Sequence, residues 1–130
     1  MNKKIKYYED KLNYELDSSD LYQMLIKNEN VIVIDTRIKE HYDISHIPNS
    51  INIPHRTMNK EITKDLDKSY LYVTYCDGIG CNGSTKGALN MSKLGFKVKE
   101  LLGGIDWWMR DGYETHGKNT QIKDKISCGC

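Results

Sequence analysis

Short runs of apolar residues alternate along the chain with segments in which apolar residues recur at helical spacing. The clearest runs, residues 31–34 and 71–75, predict strands buried on both faces of a parallel sheet. Weaker strand signals lie at residues 14–16, 50–53 and 97–102. Helices are predicted after Asp17, over 58–66, over 84–94 and around 105–110. Alternating strands and helices predict an α/β fold with a central, mostly parallel five-stranded sheet, flanked by helices on both faces.

This pattern predicts one domain over residues 1–114, on which residues 1–13 pack as an N-terminal extension. Residues 115–130 contain few apolar positions and end in Cys128-Gly129-Cys130. We expect them to form a mobile polar tail.

The balance of positive and negative residues limits the partners that the chain can attract. The 130 residues include 19 Lys and Arg against 18 Asp and Glu, so the chain has no net field to attract nucleic acid or an anionic membrane. No apolar run is long enough to span a bilayer, and the first residues lack the apolar core of a signal peptide. We therefore expect a cytoplasmic protein, in which the four cysteines serve chemistry rather than structural disulfides.

Cys76 ends a predicted buried strand and begins a glycine-containing loop that leads into a helix. Glycine permits positive φ angles, so such a loop can turn several N–H groups inward, and the helix N-terminus adds a positive field. This arrangement predicts a cradle for a thiolate or persulfide anion. The predicted cradle comprises Asp77, Gly78, Ile79, Gly80, Cys81, Asn82, Gly83, Ser84 and Thr85. Ser84 and Thr85 are expected to donate hydroxyl hydrogens to the sulfur, with Lys86 and Arg56 adding positive charge. The alternative is that Cys76 is only a buried thiol of the core.

From residue 17 to 113 the chain resembles the rhodanese family. The matching pieces are residues 31–37 (VIVIDTR), residues 46–54 (HIPNSINIP), the Cys76 loop, residues 102–105 (LGGI) with Trp108, and residues 111–113 (DGY). The resemblance implies that Cys76 is a nucleophile that carries sulfane sulfur as a persulfide. It implies that Asp35 and Arg37 mainly organise neighbouring loops, and that the reaction uses no organic cofactor and no metal.

The loop departs from the common family pattern, because Cys81 stands where an arginine is usual. Recognition of thiosulfate would then depend on backbone N–H groups and on Lys86 or Arg56, while Asp77 opposes it. A low-molecular-weight persulfide or a partner protein's persulfide is an equal alternative as sulfur donor. The acceptor is expected to be a thiol or a partner protein.

The remaining cysteines leave alternatives open. Cys81 either resolves a Cys76 persulfide by forming a disulfide or only lines the loop. Cys128 and Cys130 are candidates for sulfur relay, for reduction of Cys76, or for binding a soft metal such as Cu(I) or zinc. Two rival functions therefore stand beside sulfur transfer: a noncatalytic docking module, and a thiol redox or metal-handling protein that uses all four cysteines.

Overall fold

The computed structural model describes residues 2–121. Its strands are β1 (Glu15–Leu16), β2 (Val31–Asp35), β3 (Ile51–Asn52), β4 (Leu71–Tyr75) and β5 (Lys97–Leu101). Its α-helices are α1 (Lys3–Tyr14), α2 (Ser18–Ile26), α3 (Lys39–Ile44), α4 (Gly83–Lys93) and α5 (Gly104–Arg110), with a 3-10 turn at His55–Thr57.

The strands form one sheet in the order β1-β5-β4-β2-β3, and every ladder in it is parallel. Successive side chains of β2 enter different cores: Val33 joins the cluster around Trp108, and Ile34 joins the cluster around Met91. A sheet buried on both faces explains why these strands are continuously apolar. The predicted fold class is confirmed, with the sheet wholly parallel.

The register of the two central strands determines where the functional residues meet. Asp35, the last residue of β2, pairs with Tyr75, the last residue of β4. Because parallel strands run in the same direction, the segments that begin at Thr36 and at Cys76 leave the same edge of the sheet side by side. Thr36 reinforces this junction, since its amide and its hydroxyl both donate to the Tyr75 carbonyl, at 3.0 and 2.8 Å.

Helix α2 begins as predicted at Asp17, whose carboxylate accepts the Asp20 amide in a capping box. The helix predicted over 58–66 is wrong, because this segment forms a series of turns. The Asn59 side chain accepts the amide of Ile62, and the Thr63 hydroxyl donates to the Asn59 carbonyl. Such local side-chain bonds to the backbone compete with regular helix.

The two helices that the apolar pattern missed are mostly polar. Helix α1 buries no side chain, and it meets the sheet through a bond from Lys99 Nζ to the Leu12 carbonyl. Helix α3 likewise buries no residue. Among the described residues no helix is both long and apolar enough to cross a membrane.

The predicted boundary after residue 114 lies too early, and residues 115–121 are not a free tail. Thr115 is fully buried. His116 exchanges two backbone hydrogen bonds with His46, both at 2.9 Å, and the Gln121 side chain donates to the carbonyls of Met109 and Tyr113. Backbone and amide bonds hold this segment, which is why its lack of apolar residues misled the prediction. Cys128 and Cys130 lie outside the described residues.

Candidate active site at the carboxyl ends of the central strands

Cys76 is the first residue after β4 and lies on the floor of a cleft of about 400 Å³. Only 5% of the residue is exposed, so its sulfur is reached through this cleft. The cleft is lined by residues that follow β2, β3 and β4 and by the first turn of α4. These residues are Thr36, Arg37, Ile38, His41, Pro54, His55, Arg56, Cys76, Asp77, Cys81, Asn82, Gly83 and Lys86.

In this structure the Cys76 sulfur is bonded to that of Cys81, and the two Cα atoms lie 6.3 Å apart. A turn closed by the Cys81 amide on the Gly78 carbonyl brings the second cysteine back towards the first. The structure therefore shows an oxidised form, in which Cys76 is not a nucleophile. Reduction is needed to release the Cys76 thiolate.

The first turn of α4 meets the sulfurs at Gly83. Its amide donates to Cys81 Sγ at 3.4 Å, and a Cβ placed on Gly83 would lie only 2.9 Å from Cys76 Sγ. Glycine is therefore required here for the helix to begin directly against the disulfide.

The expected hydroxyl donors point elsewhere. Ser84 Oγ and Thr85 Oγ1 both donate to Glu100 Oε2, at 3.1 and 2.8 Å, and not to the sulfur. The prediction that these hydroxyls donate to the sulfur is therefore wrong. The reason is that β5 places the Glu100 carboxylate beside the start of α4, and a hydrogen bond to a charged acceptor is stronger than one to a neutral acceptor.

Asp35 and Arg37 form a buried ion pair beneath the loop. Asp35 is fully buried and accepts from Arg37 Nη2 at 2.7 Å, from Arg37 Nε at 3.0 Å and from the Tyr75 hydroxyl at 2.8 Å. Burial opposes the charge on Arg37, but the hydrogen bonds and negative charge of Asp35 outweigh it and raise the pKa of Arg37. Burial, together with Asp35, also raises the pKa of Tyr75, so this phenol stays a neutral donor.

Arg37 links this buried pair to the loop. Its Nη1 donates to Asp77 Oδ1 at 3.1 Å and its Nη2 donates to the Ser45 carbonyl at 2.6 Å, while the side chain is 8% exposed. The carbonyls of Cys76 and Asp77 accept the amides of Ile105 and Asp106 at the start of α5. The beginning of the loop is thus held from two sides.

Arg56 and Lys86, the two side chains that the sequence proposed as supporting charges, both line the cleft. The charge of Arg37, which also lines it, is balanced by Asp35 and by Asp77. Partial burial and the nearby charges of Lys86 and Arg56 lower the pKa of His55, which favours its neutral form. The sequence reading missed His41 and His55. His55 follows β3 at the same edge of the sheet. A search of the residues that come just after each predicted parallel strand would therefore have identified it.

The rhodanese-like domain family model matches residues 17–111, so the chain belongs to the rhodanese-like domain family. The BH2092 protein of Bacillus halodurans has a similar structure, with a TM-score of 0.88, 40% identity, and coverage of 99% of this chain and 93% of that one. A rhodanese-related protein of Thermoplasma volcanium is 28% identical, with a TM-score of 0.68 over 79% of this chain and 97% of that one.

Several relatives are named as sulfurtransferases, among them proteins of Ogataea parapolymorpha and Coxiella burnetii. The adenylyltransferase and sulfurtransferase uba4 of Ogataea parapolymorpha is 32% identical over 101 residues, which are 68% of this chain. Thiosulfate sulfurtransferase GlpE of Coxiella burnetii is 29% identical over 86 residues, 65% of this chain and 77% of that protein. The chain spans about a quarter (25%) of the length of uba4 and of a probable molybdopterin-synthase adenylyltransferase of Porphyra purpurea.

Proposed function

We propose that this protein is a sulfurtransferase in which reduced Cys76 accepts a sulfane sulfur atom and passes it to a nucleophile. The observation that carries the proposal is the position of Cys76 in a cleft that Arg56 and Lys86 also line. Cationic surroundings favour both a thiolate and a persulfide anion over their protonated forms. Membership of a family with relatives named as sulfurtransferases supports the same chemistry.

The reaction takes place in two displacements. The Cys76 thiolate attacks the outer sulfur of a donor; a Cys76–sulfur bond forms, the bond in the donor breaks, and the donor leaves as a thiolate or, from thiosulfate, as sulfite. An acceptor thiolate then attacks the outer sulfur of the Cys76 persulfide, and the Cys76 thiolate leaves. No proton has to move between protein groups in either step, which suits a cleft without a Cys-His pair at bonding distance among the described side chains.

The donor we propose is a small anion. Arg56 and Lys86 are exposed side chains that line the cleft and can pair with a negative group, while Asp77, the acid that lines the same cleft, is bonded to Arg37. Thiosulfate and a low-molecular-weight persulfide both have this charge, and the two are compared directly in the test below.

The test is to reduce the full chain carrying Cys81→Ser, in which a persulfide on Cys76 has no neighbouring thiol from that position, remove the reductant without oxygen, and add thiosulfate or glutathione persulfide in separate reactions. We expect the Cys76 peptide to gain the mass of one sulfur atom, and cyanide to remove it as thiocyanate. The Cys76→Ser variant should gain none. In the unsubstituted chain, a Cys76–Cys81 disulfide formed without bound sulfur and without released sulfide would favour the redox function, and no change at all in either protein would favour the docking module.

Charge in the cleft should also affect donor affinity. We expect Lys86→Gln to raise KM for thiosulfate about threefold to fivefold, because a partly screened charge contributes on the order of 1 kcal/mol. The effect should shrink in high salt, where such charges are screened. Lys93→Gln is the matched control, since Lys93 lies at the other end of α4 and does not line the cleft. An equal change in both variants would contradict the proposed contact.

A further inference from the structure

We infer that Cys81 is a second catalytic cysteine, which attacks the Cys76 persulfide and releases its outer sulfur as sulfide. The protein would then reduce sulfane sulfur, in addition to transferring it, and the Cys76–Cys81 disulfide of this structure would be the product of that step. This inference rests on the proposed function, because it needs a persulfide on Cys76.

The path of the loop places the two sulfurs in bonding contact within the folded domain. The bond joins cysteines five positions apart, and the contacts that support the loop are present together with it: Ile105 and Asp106 hold the loop's first carbonyls, and Arg37 holds Asp77. The disulfide and these supporting contacts are therefore compatible in one fold. A cysteine that served only to line the loop would not need its sulfur at this position.

Gly83 supplies what an attacking thiol needs. Its N–H donates to Cys81 Sγ, and such a donor stabilises the thiolate form of Cys81 before attack. Because Gly83 has no side chain, both sulfurs can lie against the start of α4 at the same time; a Cβ there would approach Cys76 Sγ to 2.9 Å and Cys81 Sγ to 3.4 Å.

The step balances without an added oxidant. The Cys81 thiolate attacks Cys76 Sγ, the inner sulfur of the protonated persulfide; the Cys81–Cys76 bond forms and the bond to the outer sulfur breaks. The outer sulfur leaves with its own proton and the electron pair of the broken bond, as hydrosulfide. The sulfane sulfur is reduced by two electrons, and the two cysteine sulfurs supply them by becoming a disulfide.

A dithiol reductant closes the cycle, and the two sulfurs differ in their access to it. Cys76 is 5% exposed, whereas Cys81 is half-buried and lines not only the Cys76 cleft but also two neighbouring clefts, one beside Asp106 and one beside Trp107. An external thiolate therefore reaches Cys81 first. Its attack forms a mixed disulfide on Cys81 and expels Cys76 as the thiolate, ready for a new donor; the second thiol of the reductant then frees Cys81.

The test uses the full chain in a Cys128→Ser, Cys130→Ser background, so that Cys76 and Cys81 are its only thiols. The reduced protein receives one equivalent of glutathione persulfide without oxygen, and both released sulfide and peptide masses are followed with time. We expect nearly one sulfide per chain together with the Cys76–Cys81 disulfide. In the Cys81→Ser variant the persulfide should persist on Cys76, with sulfide release at least about 100-fold slower because no internal thiol is in place. The unsubstituted chain and Cys81→Ala are run in parallel.

The outcomes separate the two proposals. If Cys81→Ser and Cys81→Ala both load no sulfur while retaining the wild-type melting temperature, sulfur transfer itself fails. If they load sulfur but release sulfide as fast as the parent chain, or if the parent chain keeps its persulfide and forms no disulfide, Cys81 is not a resolving cysteine and the proposed transfer function stands alone.

Discussion

Replacing Asp35 by Asn should lower the free energy of unfolding by about 3–5 kcal/mol, the usual cost of removing one partner of a buried ion pair. Asp35 is fully buried, and the Arg37 side chain that it neutralises is only 8% exposed. An amide keeps the shape of the carboxylate but leaves the buried guanidinium with only the exposed carboxylate of Asp77 as a counter-charge. It also weakens the acceptor for the Tyr75 hydroxyl. Against a typical stability of about 5–15 kcal/mol, this is a large fraction.

Urea denaturation, extrapolated linearly to water, measures the effect. Asp43→Asn is the matched control: it removes an equivalent carboxylate from a pair with Lys39, but that pair lies on the surface, where solvent screens it. We expect a much smaller change there. An Asp35→Asn variant no less stable than Asp43→Asn would show that Asp35 does not hold Arg37 as the structure indicates.

The sequence predicted those parts of the fold in which the burial of a strand determines its pattern of apolar residues. Strands β2 and β4 are buried on both faces, so their residues are continuously apolar and their ends are marked by Asp35 and Cys76. Parallel pairing then places both ends at one edge of the sheet, so Cys76 and Arg37 line the same cleft. The start of α2 could also be predicted from the sequence, because a capping box is an interaction between neighbouring residues.

Other features depend on contacts between distant segments, and no local pattern encodes them. The hydroxyls of Ser84 and Thr85 turn to Glu100 because the register of β5 against β4 brings that carboxylate beside α4. Residues 115–121 join the domain through backbone bonds, such as those between His116 and His46, which any sequence can form. The spacing of Cys76 and Cys81 left the role of the second thiol open, since the separation of their sulfurs depends on the path of the loop.

Two glycines at the start of α5, Gly103 and Gly104, allow this helix to support the active-site loop. At Gly104 the backbone has φ of +59°, and a Cβ would lie 2.4 Å from the Cys76 carbonyl oxygen and 2.9 Å from the Gly78 nitrogen. This close approach lets the first amides of α5, those of Ile105 and Asp106, bond to the carbonyls of Cys76 and Asp77. The loop that carries the nucleophile is therefore positioned by a backbone contact that only glycine permits.

We expect Gly104→Ala to lower the free energy of unfolding by about 2–4 kcal/mol, since it combines an unfavourable positive φ with a clash against backbone atoms that cannot rotate away. Separation of α5 from the loop should also displace Cys76, so sulfur loading from glutathione persulfide should slow more than about tenfold, the consequence of a small misplacement of the reacting atom. Urea denaturation and the mass measurement of Cys76 loading test the two effects on the same sample.

Gly112→Ala separates the two contributions, because Gly112 also has a positive φ, of +89°, but a Cβ there meets nothing within 4 Å. This variant should lose only the conformational part, about 1–2 kcal/mol, and should load sulfur at the wild-type rate. The difference between the two variants then measures the contact beneath Cys76. If Gly104→Ala matched Gly112→Ala in both stability and loading, the close approach of α5 to the loop would have no part in positioning the nucleophile.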